Sequence, residues 1–241
     1  MGHKMKINKA IMSVDDNPLF EDFWEPVSKV WRLRFNITPV LIYFGTKKLS
    51  TEWGEVIYVT PIADVPLYFQ TQWARFWYTS QEPETIFCIS DIDMFPVSKD
   101  AFVLNLKDKD EECYLHLRGD IRPLPVCYHV AKGKIFKEVL KLKSTFADSV
   151  LEAFNSGLSC ASHMDFNKWG LDESFSTHKV LSSTYSNIVL LNGGPWPRLD
   201  RSKWVPNDED FSTEGIKDIH SIRPYLNYKL EIDRIVSRLI S

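Results

Sequence analysis

The chain has 241 residues, 44% hydrophobic and 25% charged, with 29 basic against 32 acidic side chains and a net charge of −3. These proportions supply a sizeable core and exclude bulk disorder, and the lack of a basic block excludes a phosphate-tracking surface, so no nucleic-acid partner is expected. No apolar run reaches membrane-spanning length and none follows the basic residues near the N-terminus, so neither a transmembrane segment nor a secretory signal is expected, and the expected location is cytoplasmic.

Lys9–Val14 (KAIMSV) reads as a short strand, and Asp15-Asp16-Asn17-Pro18 after it is a turn into a helix, with three capping-type residues and a proline. Phe20, Phe23, Trp24, Val27, Val30 and Trp31 recur at helical spacing, and Pro26 is expected to divide that helix. Residues 38–44 (TPVLIYF), closed by Gly45, and residues 55–60 (EVIYVT) are strands. Residues 68–78 (YFQTQWARFWY) fit an amphipathic helix with Phe69, Trp73, Phe76 and Trp77 on one side. Residues 85–90 (TIFCIS) form a buried strand that stops at Asp91-Ile92-Asp93. Beyond it, residues 126–130 (VCYHV) read as a strand and residues 135–154 as one long amphipathic helix. Residues 187–191 (NIVLL) read as a buried strand before Gly193-Gly194-Pro195, and residues 199–218 as polar loop. Cys88, Cys113, Cys127 and Cys160 lack paired metal-site spacing and read as buried thiols of a reducing compartment.

The alternation of strands and helices is that of an α/β protein, and open α/β sheets bind ligands outside the carboxyl ends of their strands. The buried strand at 85–90 delivers Asp91 and Asp93 to that edge. Two aspartates one residue apart on an extended chain point the same way and address one ion, with Ile92 turned to the core. Such a pair suits a hard divalent cation, Mn²⁺ or Mg²⁺, which offsets the charge that grows on a diphosphate leaving group. An isolated Asp-x-Asp is also a common polar turn, and the strand before it gives this one its weight.

With an N-terminal strand ending in polar residues (Ser13, Asp15, Asp16), an aromatic-rich helix, and an apolar strand leading into Asp91-Ile92-Asp93, the chain resembles the GT-A glycosyltransferases. More loosely, it resembles small single-domain transferases of large DNA viruses that decorate capsid glycans. The resemblance implies a single α/β, GT-A-like domain over residues 1–241, with a central mixed but mostly parallel sheet flanked by helices. Residues 1–125 would form the nucleotide-sugar donor half, and residues 126–241 the acceptor half with a C-terminal metal and diphosphate segment. It also implies a metal-dependent hexosyl- or pentosyltransferase that moves a sugar from a nucleotide-diphosphate donor, UDP favoured, to a hydroxyl of a glycan or other acceptor. Val14 and Asp15 would meet the base and ribose, Asp91 and Asp93 the ribose, metal and diphosphate, and Arg75 the donor. His220-Ser221-Ile222-Arg223 is similar to the segment that completes the metal shell in some members, with His220 as third ligand and Arg223 on phosphate oxygens.

An inverting transfer needs a carboxylate to take the acceptor proton. Asp172, with Glu173 second, stands where such enzymes place an acidic pair at a helix start; the same residues equally suit a helix dipole without catalytic duty. Trp169 and Trp196, the latter beside Gly193-Gly194-Pro195, offer rings for an acceptor sugar, and His129 and Lys132 are candidate contacts in the same pocket. A carbohydrate-binding module would account for the tryptophans but not for the strand that ends in two aspartates. A sugar nucleotidyltransferase needs a glycine-rich phosphate loop, and residues 14–17 contain no glycine. There is no GxSxG elbow, dinucleotide fingerprint or P-loop.

Overall fold

In the computed structural model, residues 4–158, 170–192, 196–204 and 212–241 are described. The first half follows its apolar pattern closely. Lys9–Val14 (β1) leads through the helix Trp24–Phe35 (α1) to Thr38–Tyr43 (β2), Glu55–Tyr58 (β3), the helix Leu67–Thr79 (α2) and Ile86–Ile89 (β4). Pro26 does not divide α1. It occupies the first turn, where backbone N–H groups have no intrahelical partner to lose, and the helix runs on to an αL cap at Asn36.

After β4 come Met94–Pro96 (β5), the short helix Lys99–Phe102 (α3), Tyr114–His116 (β6) and His129–Lys132 (β7). The strand expected over 126–130 thus begins only at His129, because Tyr128 has φ 114° and breaks the extended path. The single helix expected over 135–154 is two, Gly133–Leu140 (α4) and Phe146–Phe154 (α5). Lys141 turns left-handed at φ 52°, and the Thr145 hydroxyl restarts the chain as an N-cap by accepting from the Asp148 N–H at 3.1 Å. Leu171–Leu181 (α6), Ile188–Leu190 (β8), Arg198–Leu199 (β9), Asp218–His220 (β10) and Lys229–Ile240 (α7) complete the order. The segment 199–218, expected to be loop, therefore contributes to strands at both ends, while β8 is half-buried because it lies at the sheet edge.

The main sheet has seven strands in the order β3-β2-β1-β4-β7-β6-β8, parallel throughout except for β7. A smaller sheet, β5-β10-β9, joins the stretch after β4 to the C-terminal segment. Strand periodicity divides the interior into two layers. Ala10, Met12, Ile86 and Cys88 face one core with α1 and α7; Ile11, Phe87 and Ile89 face the other with α2, α4, α5 and α6. Fully buried Trp31 and Trp73, one per layer, each contribute on the order of 2–3 kcal/mol by area removed from water. Cys88, Cys113 and Cys127 are buried free thiols, and Cys160 lies outside the described residues. Among the described residues, no helix is long and apolar enough to cross a membrane.

Candidate active site

The chain leaves β1 toward β2 on one side, while β4 pairs with β1 on the other, so a crevice opens where the carboxyl ends of β1 and β4 part. A cleft of about 490 Å³ occupies this point and collects Val14, Asp15, Arg75, Asp91, Asp93, Asp172, Glu173, His220 and Arg223 from five parts of the sequence. All nine were expected at a donor or catalytic site.

Arg75 ties the cleft floor together. It leaves the polar edge of α2, is 7% exposed, and donates to the Ser90 carbonyl at 3.2 Å and to the Asp91 carboxylate. Its other terminal nitrogen lies 3.5 Å from Asp172. Burial opposes ionisation of Asp91, but Arg75 outweighs it and holds that carboxyl below its ordinary value. For Asp172, burial wins over Arg75 and the shift is upward.

Asp91 and Asp93 both line the cleft with Ile92 buried between them, yet they address different partners because the chain turns here instead of staying extended. The Asp93 carbonyl accepts from the Ser221 N–H at 2.9 Å, which fixes β10 against this turn. One carboxylate oxygen of Asp93 faces Arg201 Nη2 at 3.1 Å, Arg223 Nε at 3.5 Å and His220 Nε2 at 3.6 Å. Burial pushes the Asp93 carboxyl up to about 6, against the pull of His220 and Arg223. His220 Nδ1 in turn lies 3.2 Å from Asp200, and the Arg223 guanidinium stacks on Phe20, 4.5 Å from the ring centre. Among the described residues, no three His, Cys, Asp or Glu side chains converge at ligating distance; Asp93 and His220 are adjacent, and Asp91 is engaged by Arg75.

The opposite wall is the start of α6. Gly170, with φ 82°, redirects the chain so that the first turn presents Asp172 and Glu173 to the cleft. Burial, then the neighbouring Asp172, raises Glu173 to about 7, and its carboxylate accepts from the Val126 N–H at 3.4 Å. At the β1 end, Asp15 accepts from the Asn17 N–H at 3.2 Å, and burial raises its pKa.

The acceptor contacts are placed otherwise. His129 is fully buried, 2.7 Å from the Tyr114 hydroxyl and packed edge-on against His116 at 4.2 Å between ring centres. Lys132 pairs with Glu111 at 2.7 Å and with Glu112. β7 runs against β4, so Lys132 sits opposite Ile86 at the start of that strand, on the edge away from the cleft. Neither residue lines the cleft. Trp196 donates its indole N–H to Asp218 at 2.9 Å, carries Lys217 over its ring at 4.5 Å, and borders a separate cavity of about 310 Å³. Trp169 and Gly193-Gly194-Pro195 lie outside the described residues.

Sequence reading missed Gln72, which shares a helix face with Arg75 three residues on and was open to that inference. It also missed Arg201, which sits in a polar stretch without periodicity, where one arginine looks like another.

No family model and no curated protein matches the chain. Among solved structures, it is similar to the galactosyltransferase LgtC in complex with donor and acceptor sugar analogs, at TM-score 0.52 and 11% identity over 97% of this chain and 96% of that one. It is also similar to the glycosyltransferase GlyE of Streptococcus pneumoniae TIGR4, at TM-score 0.52 and 11% identity over 97% of this chain and 63% of that one. The chain has the mixed α/β fold of these glycosyltransferases.

Proposed function

We propose that the protein is a glycosyltransferase that moves a hexosyl or pentosyl group from a nucleotide-diphosphate donor, UDP favoured, to a hydroxyl of a glycan or other acceptor. The observation that carries this reading is the cleft at the β1–β4 switch point, which sets Asp91, Asp93, His220 and three arginines opposite the carboxyl pair of α6. The likeness of fold to LgtC, whose complex holds donor and acceptor sugar analogs, supports glycosyl transfer in general.

In this reading Val14 and Asp15 meet the base and ribose, and Arg223 and Arg75 the diphosphate. Asp93 and His220, 3.6 Å apart, offer a carboxylate and an imidazole side by side, a donor set that fits Mn²⁺ or Mg²⁺, with Asp91 as third ligand when it leaves Arg75. A bound cation would offset the charge developing on the departing diphosphate. Asp172 is spent on Arg75, whereas Glu173 titrates near neutrality, so Glu173 is the better proton acceptor for an attacking hydroxyl.

Calorimetric titration with UDP and GDP, in Mn²⁺ and in chelator, tests the reading on the wild type and Asp93→Ala. One nucleotide is expected to bind, more tightly with Mn²⁺, and the variant to lose the metal effect while keeping its fold. Failure of both nucleotides to bind overturns the transferase assignment and favours a carbohydrate-binding module.

A further inference from the structure

Asp200 and Arg201 lie side by side on the turn that leaves β9, and each reaches one of the two groups that face each other on the cleft floor. One oxygen of Asp200 stands 3.2 Å from His220 Nδ1; the other accepts from the Ser202 N–H at 3.1 Å and the Ser202 hydroxyl at 2.9 Å. The carboxylate is thus held at both oxygens. It can only accept, so the ring nitrogen facing it carries the hydrogen, and neutral His220 is fixed as the Nδ1–H tautomer. Its Nε2 lone pair then points toward Asp93, 3.6 Å away. In that tautomer Nε2 can only accept, and it faces the Asp93 carboxylate with no hydrogen between them.

Arg201 meets the same Asp93 oxygen with Nη2 at 3.1 Å. Arg201 lines the cleft, and its Nη1 is buried with no hydrogen-bond partner among the described residues. A buried donor without a partner is costly, and a guanidinium with one nitrogen committed and the other unsatisfied is suited to an anionic oxygen.

We infer that Asp200 and Arg201 act as a pair at the diphosphate end of the donor site: Asp200 positions the His220 imidazole with Nε2 toward Asp93, and Arg201 gives its free Nη1 to a phosphate oxygen. This rests on the nucleotide-sugar reading of the cleft. A single turn of backbone sets both side chains, so the imidazole and the phosphate contact are placed in register by one local structure.

Two variants separate the roles. Asp200→Asn keeps an oxygen for the Ser202 cap but turns an amide N–H toward His220. Histidine ¹⁵N shifts in metal-free protein, followed to alkaline pH until they no longer move, report the tautomer of the neutral ring. The ring is expected as Nδ1–H in the wild type and Nε2–H in the variant, with UDP affinity in Mn²⁺ falling about 10- to 100-fold. An unchanged ring, or unchanged affinity, overturns the positioning role. Arg201→Met is titrated with pyrophosphate, UDP and uridine in chelator. Pyrophosphate and UDP are expected to bind about tenfold or more weaker while uridine is unaffected; equal pyrophosphate affinity overturns the phosphate contact. A wild type that binds neither UDP nor pyrophosphate overturns the donor reading and the Arg201 contact with it, while the imidazole shifts still decide the role of Asp200.

Discussion

The guanidinium of Arg75 faces two carboxylates that arrive from different elements, Asp91 after β4 and Asp172 at the start of α6, and all three side chains stay out of bulk water to differing degrees. Removing the cation leaves Asp172, 2% exposed, as a buried charge without its opposite partner. Arg75→Met is therefore expected to cost about 3–5 kcal/mol, seen as a lower denaturant midpoint, before any effect on ligand binding is counted. Glu173 gives a prediction of opposite character. Its pKa is raised in the folded protein to about 7, so the stability tied to its protonated form is complete below the unfolded value and is lost as pH rises through 7. Glu173→Gln keeps an oxygen for the Val126 N–H and removes the charge, so its denaturant midpoint should exceed the wild type's at about pH 8 and match it at about pH 4. Equal midpoints at both pH values would show the carboxyl to be well solvated. At this scale the sequence was informative where a strand or helix end presents the residue: Asp91, Asp93, Asp172 and Glu173 stand at such ends. Asp200 and Arg201 have no such marker, because their placement depends on β9 pairing with β10, and β10 with β5, over long range.

Between the strands, local caps decide what apolar spacing leaves open. The pattern over 135–154 is continuous enough to read as one helix, yet Lys141 and Thr145 divide it, because a threonine followed three residues later by aspartate offers the backbone a new start. Thr145→Ala should lower stability by about 1 kcal/mol by thermal unfolding, since the Asp148 N–H loses its acceptor. Gly170 poses the complementary case. Among the described residues a Cβ there would meet nothing within 4 Å, so the strain of Gly170→Ala lies in its backbone, at φ 82°. The cost should be about 1–2 kcal/mol if the turn is kept, and a smaller loss would mean that the chain relaxes and carries Asp172 and Glu173 off their line. The first half of the sheet was legible because β1, β2 and β4 are buried on both faces and carry unbroken apolar runs. The strand at 126–130 was misplaced because composition cannot register the positive φ of Tyr128.

Across the whole molecule, one sheet separates two apolar layers, and β7 is the strand whose direction is reversed. β6 and β7 are joined in register at Leu115↔Val130 and His116↔His129, so a pair of interior imidazoles forms half of that seam. Burial lowers His116 to about 4, and burial followed by its neighbour lowers His129 well below the usual range. For bases depressed in the folded state, the associated stability is present above the unfolded value and is lost as pH falls toward 4. Relative to a His116→Gln variant, the wild type's denaturant midpoint should accordingly drop between about pH 6.5 and pH 4. Protons taken up at this seam would set two cations edge to edge inside the sheet and part β6 from β7 while the helical layers still hold. Acidification would then expose the strand around Tyr114 and Leu115 to proteases first, and limited digestion at about pH 5 should cut near that strand; first cuts confined to the termini would place the weak point elsewhere.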